Sequence, residues 1–455
     1  MANSSVRPFW LRYLSASLRA KIEQRAHLPK ILSNTAWLFS DKILRMGVGL
    51  FVSVWVARYL GPEDFGLFSF ALAFVSLFSA FSTLGLQGIV VRDIVTDPKN
   101  SLETLGSSFL LQAIGGVAAF SLALILIPVL RPHDRFAISV VAIFGLTLLL
   151  KGSESIKYWF ESQVQSKYAV LAENAVFAMM AGIKIALILL GASLLSFVWV
   201  TFFEGLFTAI SLFVMYEWTG GRIKAWRFSV ARVKTLLKHS WPLILSGLAV
   251  IVYMRIDQIM LGQMLNNKAV GIYTAAVRIS EAWYFIPIAI SGSVFPALLD
   301  AKKTSEALYL DKFQKLYDVL VMIALAVAIP MTFFASQIVE VFFGPDFLAA
   351  GIILSIHIWT ALFVFLGVAG GNWFLAENRQ LLAFRGVFLG MLINVALNLV
   401  LIPKYGGVGA AVATLISQAV ATLLIDAIHK ETRLMFRMKL RACFLSRVFR
   451  FQYSA

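Results

Sequence analysis

The stretch VYMRIDQIMLGQML, residues 252–265, sets Arg255 and Asp257 inside a run otherwise suited to hydrocarbon. A charge at mid-bilayer costs about 2.5–3.5 kcal/mol on insertion scales, and such groups usually face a bundle interior or a water-filled cavity. Other ionisable residues share that apolar setting: Asp41, Lys42, Arg45, Lys184, Glu204, Arg278 and Glu281. Arginine offers a planar fork of donors that fits phosphate bidentately. Arg45, Arg255 and Arg278 are therefore candidates for holding an anionic headgroup, with Lys42 in support. Asp41, Glu204 and Asp257 are candidates for ion or proton coupling, or for counter-charge. Local pairing competes with these roles, because Asp41 to Arg45 is an i,i+4 pair and Arg278 to Glu281 an i,i+3 pair. Arg255 and Asp257 lie on nearly opposite helix faces and need partners elsewhere. Even so, both are expected to border an aqueous cavity.

The elements that must position these groups are membrane helices. Of 455 residues, 60% are hydrophobic and 14% charged, whereas soluble proteins carry about 25% charged residues. The fold class is all-α integral membrane. A spanning helix needs about 20 mostly apolar residues. Twelve such runs occur, at 34–60, 63–90, 104–130, 136–160, 168–190, 193–218, 237–262, 269–299, 314–335, 347–375, 379–402 and 407–428. Turn residues such as Gly61-Pro62, Gly344-Pro345-Asp346 and Gly406-Gly407 separate several of them. At a rise of about 1.5 Å per residue, Arg45 lies roughly 16 Å into the first run and Arg278 roughly 14 Å into the eighth. Both depths approach the middle of a core about 30 Å thick, and Glu204 lies similarly deep. Lys184 and Arg255 sit nearer the outer surface, where long side chains snorkel. Pro287, Gly292 and Pro296 interrupt the eighth run and Pro330 the ninth, so kinks are expected there.

Lysine and arginine bias sets orientation. With the N-terminus cytoplasmic, the tails and the loops on that side hold 30 of the 40 Lys and Arg, against five on the other side. Both termini are therefore expected in the cytoplasm, with the protein multi-pass in the cytoplasmic (inner) membrane. That placement also accounts for the net charge of +16 without nucleic acid as a partner. The basic, apolar-interleaved tail RLMFRMKLRACFLSRVFRF could lie along an anionic leaflet as an interfacial helix. The lone Cys443 permits no intrachain disulfide. No metal or cofactor motif is present, and no HExxH, GxSxG or P-loop pattern marks an enzyme.

The chain is also internally duplicated. LGPEDFGLFSFA (60–71) aligns with LNNKAVGIYTAA (265–276) at an offset of 205, matching Gly66 to Gly271. YWFESQVQSKYA (158–169) aligns with NWFLAENRQLLA (372–383) at an offset of 214. Each half is then a six-helix lobe. A basic tail (1–33) precedes the first lobe (34–218), a basic linker (219–236) leads to the second lobe (237–428), and a basic amphipathic tail (429–455) follows. A cavity between two such lobes, opening to each side in turn, is the architecture of a transporter.

VARYLGPEDFGLFSFALAF (56–74), RIDQIMLGQMLNNKAVGIYTAAVRI (255–279) and YGGVGAAVATLISQ (405–418) resemble the polysaccharide-export branch of the multidrug/oligosaccharidyl-lipid/polysaccharide (MOP) exporter superfamily. That branch contains the O-antigen-type flippases of lipid-linked oligosaccharides. The resemblance runs from about Ser33 to Ile428. It implies a central cavity lined largely by spans 1, 2, 7 and 8, alternating access, and an undecaprenyl-diphosphate-linked glycan as cargo. Membrane lipids are expected partners, with a polysaccharide polymerase and other assembly proteins beside them. Within that frame Trp55, Tyr253, Tyr273, Trp283 and Tyr284 could stack on sugar rings. Two alternatives stand beside this reading. A multidrug or cation exporter of the same superfamily should favour acids in its cavity. A membrane enzyme of glycan assembly, such as a polymerase or ligase, needs a catalytic loop for which the short external loops leave little room.

Overall fold

A computed structural model describes the backbone of residues 28–444 and the side chains of Trp37 and of residues 45–444. Among the described residues all regular structure is helical. Ten helical stretches are long and apolar enough to cross a membrane, so this is a multi-pass membrane protein. Helix α1 (Leu28–Thr83) has 56 residues and would measure about 84 Å if straight, nearly three times a hydrocarbon core. It breaks at Gly61, whose φ of 71° lies in the region open to glycine. Gly406, with φ 57°, breaks a 40-residue helix over Gln380–Ala419 in the same way. These two breaks mark one end of the molecule; the basic linker marks the other.

The apolar runs read from the sequence all fall on helix, with local differences. The second run was expected to continue to residue 90, but α1 ends at Thr83. After a turn at Gly85, a separate short helix α2 (Gln87–Thr96) buries Ile89, Val90 and Ile94. Helices α3 (Ser101–Leu130), α4 (Arg135–Leu149), α5 (Glu154–Ser162), α6 (Lys167–Leu189) and α7 (Leu194–Trp218) complete the first half. Helix α8 (Val230–Met264) opens the second half, followed by α9 (Asn267–Glu281) and α10 (Phe285–Thr304). A three-residue 3₁₀ turn, Ala282–Tyr284, separates α9 from α10. Pro287, lacking an N–H, leaves the carbonyl four residues earlier without its helical donor, and that carbonyl lies in the turn. By contrast, α11 (Glu306–Phe343) continues through Pro330. Then come α12 (Ala350–His357), α13 (Thr360–Ala376) and α14 (Gln380–Ala419), a π-helical segment at Val420–Leu424, and α15 (Ile425–Ile428).

The internal repeat is visible in the backbone. Val164 and Asn378, 214 residues apart, both take positive φ, 55° and 54°. Each is followed by the same hydrogen bond, Gln165 N to Phe160 O in one half and Arg379 N to Phe374 O in the other, both 2.8 Å.

Apolar packing differs between the two ends. Near Gly61 and Gly406 a single cluster joins both halves, with Phe65, Phe70 and Phe144 beside Tyr273, Phe347 and Ala410. Toward the linker end the core divides in two: Ile94 and Tyr216 of the first half with Leu236 of α8 form one cluster, and Phe313, Tyr317 and Phe365 form the other. The last helix, α16 (Arg433–Cys443), joins the second of these. Its Met435, Met438, Lys439 and Ala442 are buried, Gln314 donates to the Met438 carbonyl at 3.0 Å, and Lys439 pairs with Asp426 at 2.7 Å. The interfacial-helix expectation is corrected on this point. The apolar face of α16 packs on protein, and Arg433 and Arg437 remain on the exposed face. The rest of the tail, 445–455, lies outside the described residues.

Candidate functional site

A cavity of about 530 Å³ lies between the halves, enclosed by both limbs of α1 with α8 and α9. Arg45, Arg255 and Arg278 all line it. Its walls follow the repeat. The second limb of α1 contributes Ser69, Leu72, Ala73 and Ser76; α9 contributes Thr274, Val277, Arg278 and Glu281. Each pair is 205 residues apart, and the i, i+3, i+4, i+7 spacing puts each set on one helix face. Three hydroxyls on these walls, of Ser53, Ser69 and Thr274, are buried without a hydrogen-bond partner. A buried hydroxyl left unpaired costs about 1–3 kcal/mol, so the lining is poorly satisfied by the protein itself.

Each arginine is held differently. Arg45 donates from Nη2 to Glu173 Oε2 and from Nε to Asn174 Oδ1, both at 3.1 Å. Glu173 is shared, because Lys157 Nζ reaches its other oxygen at 2.8 Å. Arg255 approaches Glu281 at 3.7 Å, so the expected Arg278–Glu281 pair is replaced by a contact between α8 and α9. Arg278 is half-buried, 5.0 Å from the Phe65 ring centre. Among the described residues no carboxylate lies within ion-pair distance of Arg278. Asp41 and Lys42 lie outside the residues whose side chains are described.

Asp257 does not border this cavity, contrary to expectation. Two residues along a helix turn about 200°, which carries its carboxylate to the face of α8 opposite Arg255. There it is buried and receives three donors: Asn398 Nδ2 at 2.5 Å, Thr414 Oγ1 at 2.5 Å and Tyr273 OH at 2.6 Å. Asn394 Oδ1 accepts from Asn398 at 3.1 Å. Asn398 Oδ1 is buried there without a partner.

Beside the first cavity lies a second, of about 450 Å³, lined by the first half except for Arg278 of α9. The two share Gly49, Ser53, Leu72 and Arg278 as lining. Lys184 and Glu204 meet inside the second at 2.7 Å. Lys184 therefore does not snorkel outward: its nearest compensation is a carboxylate on α7, and Glu204 serves as that counter-charge. The aromatic expectations also need correction. Trp55 is 52% exposed. Tyr253 bonds Ser417 at 3.3 Å, Tyr273 serves Asp257 and Tyr284 meets Thr360 at 2.7 Å. Trp283 packs against the apolar core. None of them lines either cavity. The rings that do are Phe65, Phe68, Phe177 and Phe197, which carry no signal in a sequence with 38 phenylalanines.

Above the first cavity, toward Gly61 and Gly406, the halves touch backbone to backbone. A Cβ on Gly66 would stand 1.8 Å from Asn267 O, and one on Gly271 would stand 2.0 Å from Pro62 O. The repeat relates Pro62 to Asn267 and Gly66 to Gly271, so the contact is reciprocal, as a two-fold axis between the halves requires. Arg131 clasps the same end, donating to Asn267 Oδ1 at 2.8 Å and to Gly262 O at 2.9 Å over the Phe70 ring. Burial lowers the pKa of Arg131 below the usual arginine value, and Asp134 opposes that shift.

A helical bundle with a charged chamber between related halves has counterparts of the same fold among solved transporters of the MOP superfamily. The chain matches an inward-facing multidrug-resistance MATE transporter of that superfamily with a TM-score of 0.68 at 16% identity, over 89% of this chain and 95% of the other. It matches the lipid II flippase MurJ, inward closed, at 0.67 and 15% identity, over 92% and 93%. An outward-facing MATE conformation scores 0.58, also at 16% identity, over 92% and 96%. Residues 31–302 match the family described as polysaccharide biosynthesis protein, and the chain belongs to that family. Among curated relatives, it is 23% identical to the probable flippase AglR of Haloferax volcanii, over 87% of this chain and 83% of that one. It is 21% identical to the capsular polysaccharide biosynthesis protein CapF of Staphylococcus aureus, over 88% and 100%.

Proposed function

We propose that this protein is a flippase that carries a polyprenyl-diphosphate-linked oligosaccharide across the cytoplasmic membrane by alternating access, for surface polysaccharide assembly. The observation that carries this reading is the convergence of Arg45, Arg255 and Arg278, from separate helical segments, on one cavity between the halves. A diphosphate leaving water needs charged, multidentate donors, and guanidinium groups supply them. Flippase names among the relatives, AglR and MurJ, point the same way.

In this reading α1 and α14 each cross twice, giving twelve crossings in two six-helix lobes, with both termini cytoplasmic. The joined core near Gly61 and Gly406 is the closed outer side, and the divided cores lie at the cytoplasmic mouth. Asp257 is the seat of coupling. Its carboxylate, Asn394 Oδ1 and the unpartnered Asn398 Oδ1 bring oxygen acceptors together in the second half, where a cation or proton would be held. Enzymes of glycan assembly, a polymerase among them, supply the cargo or receive it.

The test is transport by the purified protein in proteoliposomes. Polyprenyl-diphosphate glycan should change leaflets and organic cations should not; the reverse would assign the protein to multidrug export. Asp257→Asn should keep lipid binding but remove the response of transport to an ion or proton gradient. An intact gradient response would exclude Asp257 from coupling.

A further inference from the structure

The second cavity has a composition that diphosphate binding does not explain. Lys184 and Glu204 form an ion pair inside it, and their side chains keep 19% and 25% exposure. Thr201 and Thr208 add hydroxyls, and Phe177 and Phe197 add ring surface. The pair is neutral as a unit, so beyond Arg278 at the border with the first cavity, the second offers donors, acceptors and aromatic faces without a net demand for charge.

Its position relative to the arginines is equally specific. Phe177 carries the Arg45 guanidinium 5.7 Å from its ring centre on the side of the first cavity. Arg278 lines both cavities. A diphosphate gripped by Arg45 and Arg278 would therefore have one substituent entering the second cavity. Two candidates exist, the polyprenyl chain and the first sugar. A hydrocarbon chain there would bury an ion pair and two hydroxyls without new hydrogen bonds, which is costly. A sugar ring satisfies them, with hydroxyls for Lys184 and Glu204 and its C–H face for the phenyl rings.

We propose that the second cavity is a monosaccharide subsite that holds the neutral sugar attached directly to the diphosphate, with Lys184 and Glu204 bonding its hydroxyl or amide groups. This rests on the flippase reading above and adds where the headgroup is recognised. It makes the lipid carrier and the first sugar separately readable, the diphosphate by the arginines and the sugar by the Lys184–Glu204 pair.

The experiment compares two probes on the full protein in nanodiscs: a long-chain polyprenyl diphosphate, bare or carrying one N-acetylhexosamine. Wild-type protein should bind the glycosylated probe about ten- to hundredfold more tightly, the range of one or two hydrogen bonds to charged groups. Lys184→Met with Glu204→Gln removes both charges together, so neither is stranded. This double variant should bind the bare lipid as wild type does and lose the preference. Thr208→Val, a milder change of nearly equal shape, should reduce the preference several-fold. Arg278→Gln should weaken both probes alike. Equal binding of the two probes by wild type, or an intact preference in the double variant, would overturn the subsite while leaving the flippase reading standing. Failure of wild type to bind either lipid would overturn both.

Discussion

Residues 69–76 and 274–281 are the same piece of helix used twice, and they face each other across the first cavity. The first wall reads Ser69, Leu72, Ala73, Ser76 and the second reads Thr274, Val277, Arg278, Glu281. At the turn nearest Gly66 and Gly271 both carry an unpartnered hydroxyl, Ser69 and Thr274. Lower down they diverge: where the first wall has Ala73 and Ser76, the second has a guanidinium and a carboxylate. Symmetry thus supplies the shape of the chamber, and departure from symmetry supplies its charge. Just above, Gly66 and Gly271 remain equivalent because each backbone occupies the space where the other's side chain would be. Equivalence survives where the halves touch, and is lost along the walls of the chamber.

Six substitutions would break or sharpen that contrast. Gly66→Leu has the largest expected effect. Overpacking costs about 1–3 kcal/mol even where side chains can give way, and here the obstacle is backbone, so closure and export should both be lost. Normal export by this variant would mean that the crossing opens more widely than described. Arg278→Ala makes the second wall copy the first at that position. Export should fall about ten- to hundredfold, the worth of a charge-assisted contact, with protein level and thermal midpoint near wild type. Arg45→Ala should lower both export and stability, since it also strips Glu173 and Asn174 of a donor. If both variants export normally, the headgroup site lies elsewhere.

A smaller shift is expected from Arg131→Ala, which removes the clasp but no wall residue. Losing hydrogen bonds to a charged group, about 1.5–3 kcal/mol, should favour opening near Gly66 by about tenfold or more. Spin labels at the exposed Asp64 and Lys268 would report a longer distance population; an unchanged distribution would remove Arg131 from gating. The smallest effects belong to Ser69→Ala and Thr274→Val. Each deletes a buried unpaired hydroxyl, so the purified protein should gain about 1 kcal/mol while export falls only a few-fold. Unequal losses would show that the ligand leans on one wall.

Much of this was legible in the sequence because membrane helices declare themselves by length and composition. The repeat was legible through Gly66 and Gly271, residues that packing leaves no freedom to change. The arginines stood out because charge in an apolar run is costly. What the sequence hid was direction. Arg255 and Asp257 are neighbours in the chain, yet one faces a chamber and the other an enclosed network, and the partners of Asp257 are as distant as Thr414. Lys184 has the depth of a snorkelling residue in its own helix, but α7 places Glu204 beside it. The aromatic residues are placed by other demands: the hydroxyls of Tyr253, Tyr273 and Tyr284 are engaged by Ser417, Asp257 and Thr360, Trp55 is exposed, and Trp283 packs on the apolar core.

The docked helix Arg433–Cys443 bears on how the protein should be handled in the laboratory. Lys439 is the buried counter-ion of Asp426 and also bonds the carbonyl of Thr422, inside the π-helical segment that ends the membrane bundle. Trimming the chain before Arg433, a natural choice for crystallisation, would leave a carboxylate stranded in apolar surroundings. Any shortened form of the protein should keep Arg433–Cys443 in place.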